Sequence, residues 1–173
     1  IKAFKEKKIL VSMSGGLDST VLAYLLLKNN FKISVAHVNY SLRGNESLKN
    51  EKFVRDFCKS NKLKLHLKKI RKGKLNKSIQ IEARKIRYDW FKKVLIDFNY
   101  DLISTGHHLD DNIENILIGM FRNPSRNNLT LIPEQNKNIL RPFLNEKKDD
   151  IISYAKANKI DFSVDSSNSQ DYY

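Results

Sequence analysis

The sequence predicts an α/β fold: a doubly wound parallel sheet of about five strands with helices on both faces, residues 1–173 forming a single domain. Three observations predict it. Short apolar runs alternate with longer stretches whose apolar residues recur every three or four positions. The first run hands over to a helical pattern through two adjacent glycines, in "VSMSGGLDST" (11–20). No internal repeat or low-complexity tract interrupts this β-then-α order.

The elements follow in turn. Lys8–Met13 reads as the first strand, and Thr20–Lys28, with leucines at helical spacing, as the first helix. Lys32–Val38 (KISVAHV) is β-branched and alternating, a second strand. Ser47–Asn61 carries Leu48, Phe53 or Val54, and Phe57 at helical intervals. Lys62–Ile70 (KLKLHLKKI) alternates as a half-exposed strand, with His66 an ordinary member of it. Ile79, Ala83, Ile86, Trp90 and Val94 mark a long amphipathic helix that puts Trp90 in the core. Asp101–Thr105 is a short strand before Gly106, and Asp110–Phe121 a helix stopped by Asn123-Pro124. Ile139–Phe143 is expected as a fifth strand and Lys147–Asn158 as the last helix. Between them Arg122–Lys137 is a polar loop long enough to be functional. Asp161–Tyr173 reads as an irregular tail leading toward further C-terminal domains.

Composition narrows the function. A chain of 173 residues, 40% hydrophobic and 29% charged, builds a real core. No apolar run approaches the ~18 residues that span a bilayer, and no signal-peptide pattern opens the chain, so no membrane partner is expected. Cys58 stands alone, which excludes an internal disulfide and a Cys-x-x-Cys motif and fits a reducing, cytoplasmic setting. The net charge of +13 favours a polyanionic partner, nucleic acid being the commonest; a Lys- and Asn-rich composition from an AT-rich genome gives the same charge without one. The basic run 62–77 suits either phosphate contact or a solvated edge.

In an open parallel sheet, ligands sit beyond the carboxyl ends of the strands, where "SGGLDS" (14–19) falls. Gly15 and Gly16 permit positive φ and close approach, and the following helix directs free N–H groups at the loop. Ser14, Gly15, Gly16, Leu17, Asp18 and Ser19 thus form an anion cradle suited to phosphates. It is neither a Walker A loop nor a dinucleotide fingerprint. Asp18 would be repelled by phosphate unless a cation such as Mg²⁺ lay between them; it equally suits a plain helix start. If Gly106–Phe121 is helical from its start, His107, Asp111 and Glu114 share an arc of about 60°. Ile113, Ile116, Leu117 and Met120 would then bury the opposite side against the sheet. Arg84 and Arg87 share one side of their helix, as phosphate ligands or as surface charges. His37 ends a strand, lining an adenine pocket or satisfied within the strand. His107 and His108 lack the spacing of a zinc site.

Ser-Gly-Gly-x-Asp-Ser resembles the PP-loop motif of the ATP pyrophosphatases, which cleave ATP to AMP and pyrophosphate. "AHVNYSLRGNES" (36–47), "IEARKIRYDWF" (81–91) and "GHHLDDNIENILIGMFR" (106–122) are similar, in order and spacing, to the tRNA(Ile)-lysidine synthetases; "ILRPFL" (139–144) and the tail extend the likeness. The resemblance implies ATP and Mg²⁺ as substrate and cofactor, and tRNA(Ile) with a CAU anticodon and lysine as partners. The wobble cytidine is adenylylated on O2 with release of pyrophosphate, and the lysine ε-amine then expels AMP to form lysidine. It also implies Asp18 and Asp111 as Mg²⁺ ligands, Glu114 as general base, Arg87 as the catalytic arginine and Arg84 as its support. The sequence departs from the family at Tyr40, where His is usual, at Ser41, and in the loop after Arg122. Oligomeric state stays open, a homodimer included. The rivals are a thiolation-type tRNA enzyme of the same superfamily, which would need more cysteines, and a non-catalytic nucleotide- or RNA-binding module.

Overall fold

The computed structural model describes residues 4–41, 44–70, 79–122 and 131–163. In chain order these form β1 (Lys8–Ser12), α1 (Leu17–Lys28), β2 (Lys32–Asn39), α2 (Asn45–Ser60), β3 (Leu65–Lys69) and α3 (Ile79–Asp97). There follow β4 (Leu102–Ser104), α4 (Leu109–Arg122), β5 (Gln135–Asn136), β6 (Ile139–Leu140) and α5 (Lys148–Ala157). One sheet runs β3-β2-β1-β4-β6-β5, parallel throughout except for β5 at its edge. The doubly wound α/β expectation holds.

The sheet is organised around β1. Its Ile9, Leu10 and Val11 are fully buried, and it pairs with β2 (Val11 opposite Val35) and β4 (Leu10 opposite Ile103). A strand's period of two sends Ile9 and Val11 to one face and Leu10 to the other. The first face packs against Val21 and Leu22 of α1, Val54 of α2 and Ile151 of α5. The second packs against Phe91 and Val94 of α3 and Tyr100. From β1 the chain steps outward through β2 to β3, then returns to place β4 on β1's other side. The carboxyl ends of β1 and β4 therefore flank the topological switch point, where ligands of such sheets bind.

Several expectations need correction. Residues 139–143 pair as a strand only over Ile139–Leu140, because Pro142 has no N–H to give; Phe143 rejoins by a single bridge to His108. The strand β5 lies inside what reads as polar loop. Phe91, not Trp90, fills the core beneath α3, with Trp90 half-buried beside it. Ile113, Leu117 and Met120 do not bury α4: they are 50%, 48% and 52% exposed, and no described α4 residue joins either core cluster. The helix docks instead through buried Asn112, whose Oδ1 accepts the Ile132 N–H at 2.8 Å. The loop residues 123–130 and the tail beyond 163 lie outside the described residues, as do 71–77 of the basic run.

Four helices end without glycine. Asn30, Lys62, Asn99 and Lys159 take φ between 51° and 60°. The next residue of each, Phe31, Leu63, Tyr100 and Ile160, donates its N–H back to Leu26, Cys58, Leu95 and Ala155. This is the Schellman closure, with the apolar residue packed inward after it.

A buried acid ties α2 to the sheet. Burial alone would push Glu51 up, but hydrogen bonds from Asn39, Lys69 and Arg55 outweigh it and hold its carboxyl at about 2. Asn39 Nδ2 donates to Glu51 Oε2 at 2.8 Å, Arg55 Nε to Oε1 at 2.9 Å, and Lys69 Nζ lies 3.0 Å from Oε1. A carboxyl lowered from 4.5 stabilises the fold fully above that pH and loses its contribution as the pH falls toward 2. Glu51→Gln should therefore cost on the order of 2 kcal/mol at neutral pH. In denaturant titrations the difference from wild type should narrow steadily as pH is lowered from about 5 to about 3. An unchanging difference would show that the charge contributes nothing.

Candidate active site

The glycine loop is set by what precedes it. Met13 N–H donates to Ala36 O at 2.9 Å, and Met13 O meets His37 Nδ1 at 2.8 Å, so the end of β1 is bolted to β2. His37 is 4% exposed and is not part of the cleft wall described below; the structure places it as this strut. Burial lowers its pKa, the Met13 carbonyl pulling it back up. The chain then turns at Gly15, with φ +101°, a conformation L side chains rarely adopt. Gly15 O accepts the Ser163 N–H at 2.9 Å, and the Ser163 hydroxyl bonds Asn50 Oδ1, bracing the loop from outside. Gly16 caps α1 without a side chain, and the first intrahelical bond is Thr20 N–H to Gly16 O, 3.1 Å. The N–H groups of Leu17, Asp18 and Ser19 come before that bond, at the positive end of the helix. Leu17 itself is buried, so only its backbone serves the loop. The Ser14 and Ser19 hydroxyls lie 3.1 Å apart beside them.

The segment after β4 closes against α1. A Cβ on Gly106 would sit 3.0 Å from the Asp18 carbonyl carbon and 3.1 Å from Ser19 N, so only glycine allows this approach. The helix α4 begins at Leu109, not at Gly106, so His107 stands in the loop rather than on an arc with Asp111 and Glu114. His107 Nδ1 bonds Thr105 Oγ1 at 2.8 Å. Burial, aided by Arg141, Arg84 and Arg87 and opposed by Asp111, lowers it to about 4, and the ring is neutral at pH 7. Asp111, at the third position of α4, turns back to accept the His108 N–H at 2.7 Å, half of a capping box. The His108 ring approaches both acids with one atom: its Nε2 is 4.0 Å from Asp18 Oδ2 and 3.7 Å from Asp111 Oδ2.

The result is a cleft of about 190 Å³ with walls from four segments. Ser12 and Ser14 come from the end of β1, Asp18 and Ser19 from α1, Arg87 and Tyr88 from α3, and Thr105–His108 with Asp111 from the second loop and the first turn of α4. Arg87 and Arg84 flank Tyr88, their guanidinium carbons 5.5 and 5.4 Å from its ring centre; only Arg87 reaches the cleft. Tyr40, the departure from the family pattern, donates its hydroxyl to Ala83 O at 3.0 Å and so holds α3 to the end of β2. Glu114 is exposed one turn beyond Asp111, outside the cleft wall. Among the described residues no three His, Cys, Asp or Glu side chains gather to hold a metal unaided. Two carboxylates facing an anion cradle fit a hard cation such as Mg²⁺ that takes its other oxygens from phosphate and water.

Local reasoning missed three features. His108 stands beside His107 with nothing in its spacing to separate their roles. Gly106 gave only a turn signal. Lys148, at the start of α5, puts its Nζ 2.8 Å from each oxygen of Asp18 across 130 residues of sequence.

The whole chain, residues 1–173, matches the PP-loop domain family. A protein of Bacteroides thetaiotaomicron named tRNA(Ile)-lysidine synthase is 34% identical over 97% of this chain and 40% of its own length. Namesakes from Staphylococcus epidermidis and Persephonella marina are 36% and 38% identical, over 98% and 93% of this chain and 41% and 37% of theirs. The chain thus spans about two fifths of these relatives. Among solved structures, a U34-tRNA thiolase from Methanococcus maripaludis superposes with TM-score 0.73 at 20% identity, over 90% of this chain and 58% of that one. An NH3-dependent NAD synthetase from Campylobacter jejuni does so with TM-score 0.59 at 16% identity, over 90% and 65%. At such identities the likeness is one of fold.

Gly106→Ala should force the two loops apart by a few tenths of an ångström, because its methyl group meets backbone rather than a flexible side chain. The expected cost is about 1–3 kcal/mol, seen as a fall of several degrees in the thermal midpoint. An unchanged midpoint would mean that the loops separate freely.

Proposed function

The chain belongs to the PP-loop domain family, and we propose that it is the catalytic domain of an ATP-dependent ligase that converts the wobble cytidine of tRNA(Ile) with a CAU anticodon to lysidine. The observation that carries this reading is the meeting of Asp18 and Asp111 within 4.0 Å of one imidazole nitrogen, at the positive end of α1 and the switch point of the sheet. The names of the relatives supply the substrate class.

In the first step the cytidine O2 attacks the α-phosphorus of ATP, and the bond to the β-phosphate oxygen breaks. The departing pyrophosphate lies against the N–H groups of Leu17, Asp18 and Ser19 and the Ser14 and Ser19 hydroxyls, with Gly15 and Gly16 allowing the approach. Arg87 faces the same charge from α3, supported by Arg84. Asp18 and Asp111 would hold Mg²⁺, which when bound would neutralise charge at the phosphates. His107, neutral, offers a hydrogen bond rather than a charge. In the second step the lysine Nζ attacks C2, the C2–O2 bond breaks, and AMP leaves with that oxygen. The proton lost by the amine passes to Glu114, whose exposed position on α4 suits a substrate arriving from solvent. Among the described residues no helix is long and apolar enough to cross a membrane; we place the reaction in the cytoplasm, with ATP and tRNA.

The thiolation alternative is less supported. The one cysteine of the chain, Cys58, is packed in the core on α2, where burial pushes its thiol up to about 11. Such a thiol is no nucleophile at neutral pH.

The test is mass analysis of the nucleosides after the intact protein is incubated with ATP, lysine and a tRNA(Ile) transcript carrying CAU. Lysidine is expected; bound tRNA with no lysine incorporated would point to a non-catalytic module. Asp18→Ala and Asp111→Ala should abolish AMP formation with the fold intact by circular dichroism, and near-wild-type turnover by either rules out its metal role. Glu114→Gln should slow lysine transfer by roughly 10²-fold or more while leaving ATP binding within a few-fold.

A further inference from the structure

Asp18 is not free to receive a cation. Lys148 Nζ lies 2.8 Å from both of its carboxylate oxygens, in a half-buried pair. The lysine is costly where it stands. It is the first residue of α5, whose cap residue, Lys147, makes no side-chain bond to the helix, and a positive charge there opposes the helix dipole. Asp149 and Asp150 follow with the sign the dipole favours. The fold nevertheless fixes the start of α5 firmly beside the cleft. Leu109 N–H donates to Glu146 O at 2.9 Å, Glu146 N–H to Phe143 O at 2.8 Å, and Phe143 bridges to His108. Ile151 and Ala155 bury the rest of the helix against the α1 side of the core. The pairing of the segment that leads into α4 with the segment that leads into α5 thus sets Asp111 and Lys148 beside the same cleft.

We propose that Lys148 is a positioning residue that occupies Asp18 until a nucleotide arrives, so that cation and triphosphate enter together rather than the cation first. This rests on the reading of Asp18 as a metal ligand. A Mg²⁺ ion bound about 2.1 Å from an Asp18 oxygen cannot share it with an ammonium at 2.8 Å without strong like-charge repulsion. Without phosphate the lysine has nowhere better to go and excludes the ion. With phosphate its flexible stem carries the charge a short distance to a phosphate oxygen, which it meets as a point charge. The pair therefore prevents a bare cation from occupying the empty cleft and adds a contact once the nucleotide is bound.

The experiment measures Mn²⁺ binding to the intact protein by the loss of the free-ion electron paramagnetic resonance signal, without nucleotide. It also measures affinity for a non-hydrolysable ATP analogue at saturating Mn²⁺. Lys148→Met keeps the alkyl stem and removes the charge. Its nucleotide-free Mn²⁺ affinity should rise about tenfold or more, and its affinity for the analogue should fall by a similar factor. A general loss of structure would weaken both, so the opposed directions identify the role. Mn²⁺ affinity equal to or below wild type, in a variant with a normal melting profile, overturns the role of Lys148 and leaves Asp18 as ligand untouched. If the gain survives in Asp18→Asn/Lys148→Met, Asp18 is not where the ion binds, and the metal assignment falls with the proposal.

Discussion

The site depends on one close approach of backbone to backbone, at Gly106 and the first turn of α1. With no Cβ at Gly106, the loop after β4 lies directly on Asp18 and Ser19. That contact brings an acid from α1 and an acid from α4 within 4.0 Å of the same nitrogen of the His108 ring. The switch-point topology makes the approach available, since β1 and β4 are neighbours there though separated by three helices in sequence. The remaining supports stabilise the same place. Met13 with His37, Gly15 with Ser163, and Leu109 with Glu146 each tie one wall of the cleft to the scaffold behind it.

The fold was legible because its signals are local. Strand and helix periods gave ten of the eleven elements in order, and β5 was hidden because two paired residues have no period. Helix ends were harder. The expected stop signal is glycine, and here Asn or Lys takes the left-handed position; the readable signature was the following apolar residue, as in Asn30-Phe31 and Asn99-Tyr100. The apolar stripe of α4 exists but does not face the core. Periodicity states that Ile113, Leu117 and Met120 share a side of the helix. It does not state what that side meets, and Asn112 turns a different face to the protein.

The candidate site divided along the same line. Ser14, Asp18, Ser19, Arg87, His107 and Asp111 line one cleft, because each motif carries its own backbone geometry to a strand's carboxyl end. His37 is instead buried, its Nδ1 taken up by the Met13 carbonyl. Lys148 could not be found at all. Its partner is 130 residues away, and the only trace in sequence is a pair of lysines where a helix start favours acids. Local violations of this kind are where a chain keeps charges for a reason outside the element that bears them.

Charge unites these pieces. Arg84, Arg87 and Arg141 all lower the pKa of His107, although Asp111 beside it pulls the other way. Burial is the larger cause, and with the arginines it keeps this histidine neutral, able to donate or accept a hydrogen bond without adding a charge. The net charge of +13 acts over a longer range, drawing polyanions toward the protein without selecting among them. Selection falls to the cleft, where the positive groups meet two carboxylates. A cleft with arginines and lysine alone would hold any phosphate; one that also presents Asp18 and Asp111 repels phosphate that comes without a cation. On the proposed reading, the acids convert a general attraction into a requirement for a metal-bound nucleotide, and the close approach at Gly106 is what brings the α1 start and the loop before α4 together for it.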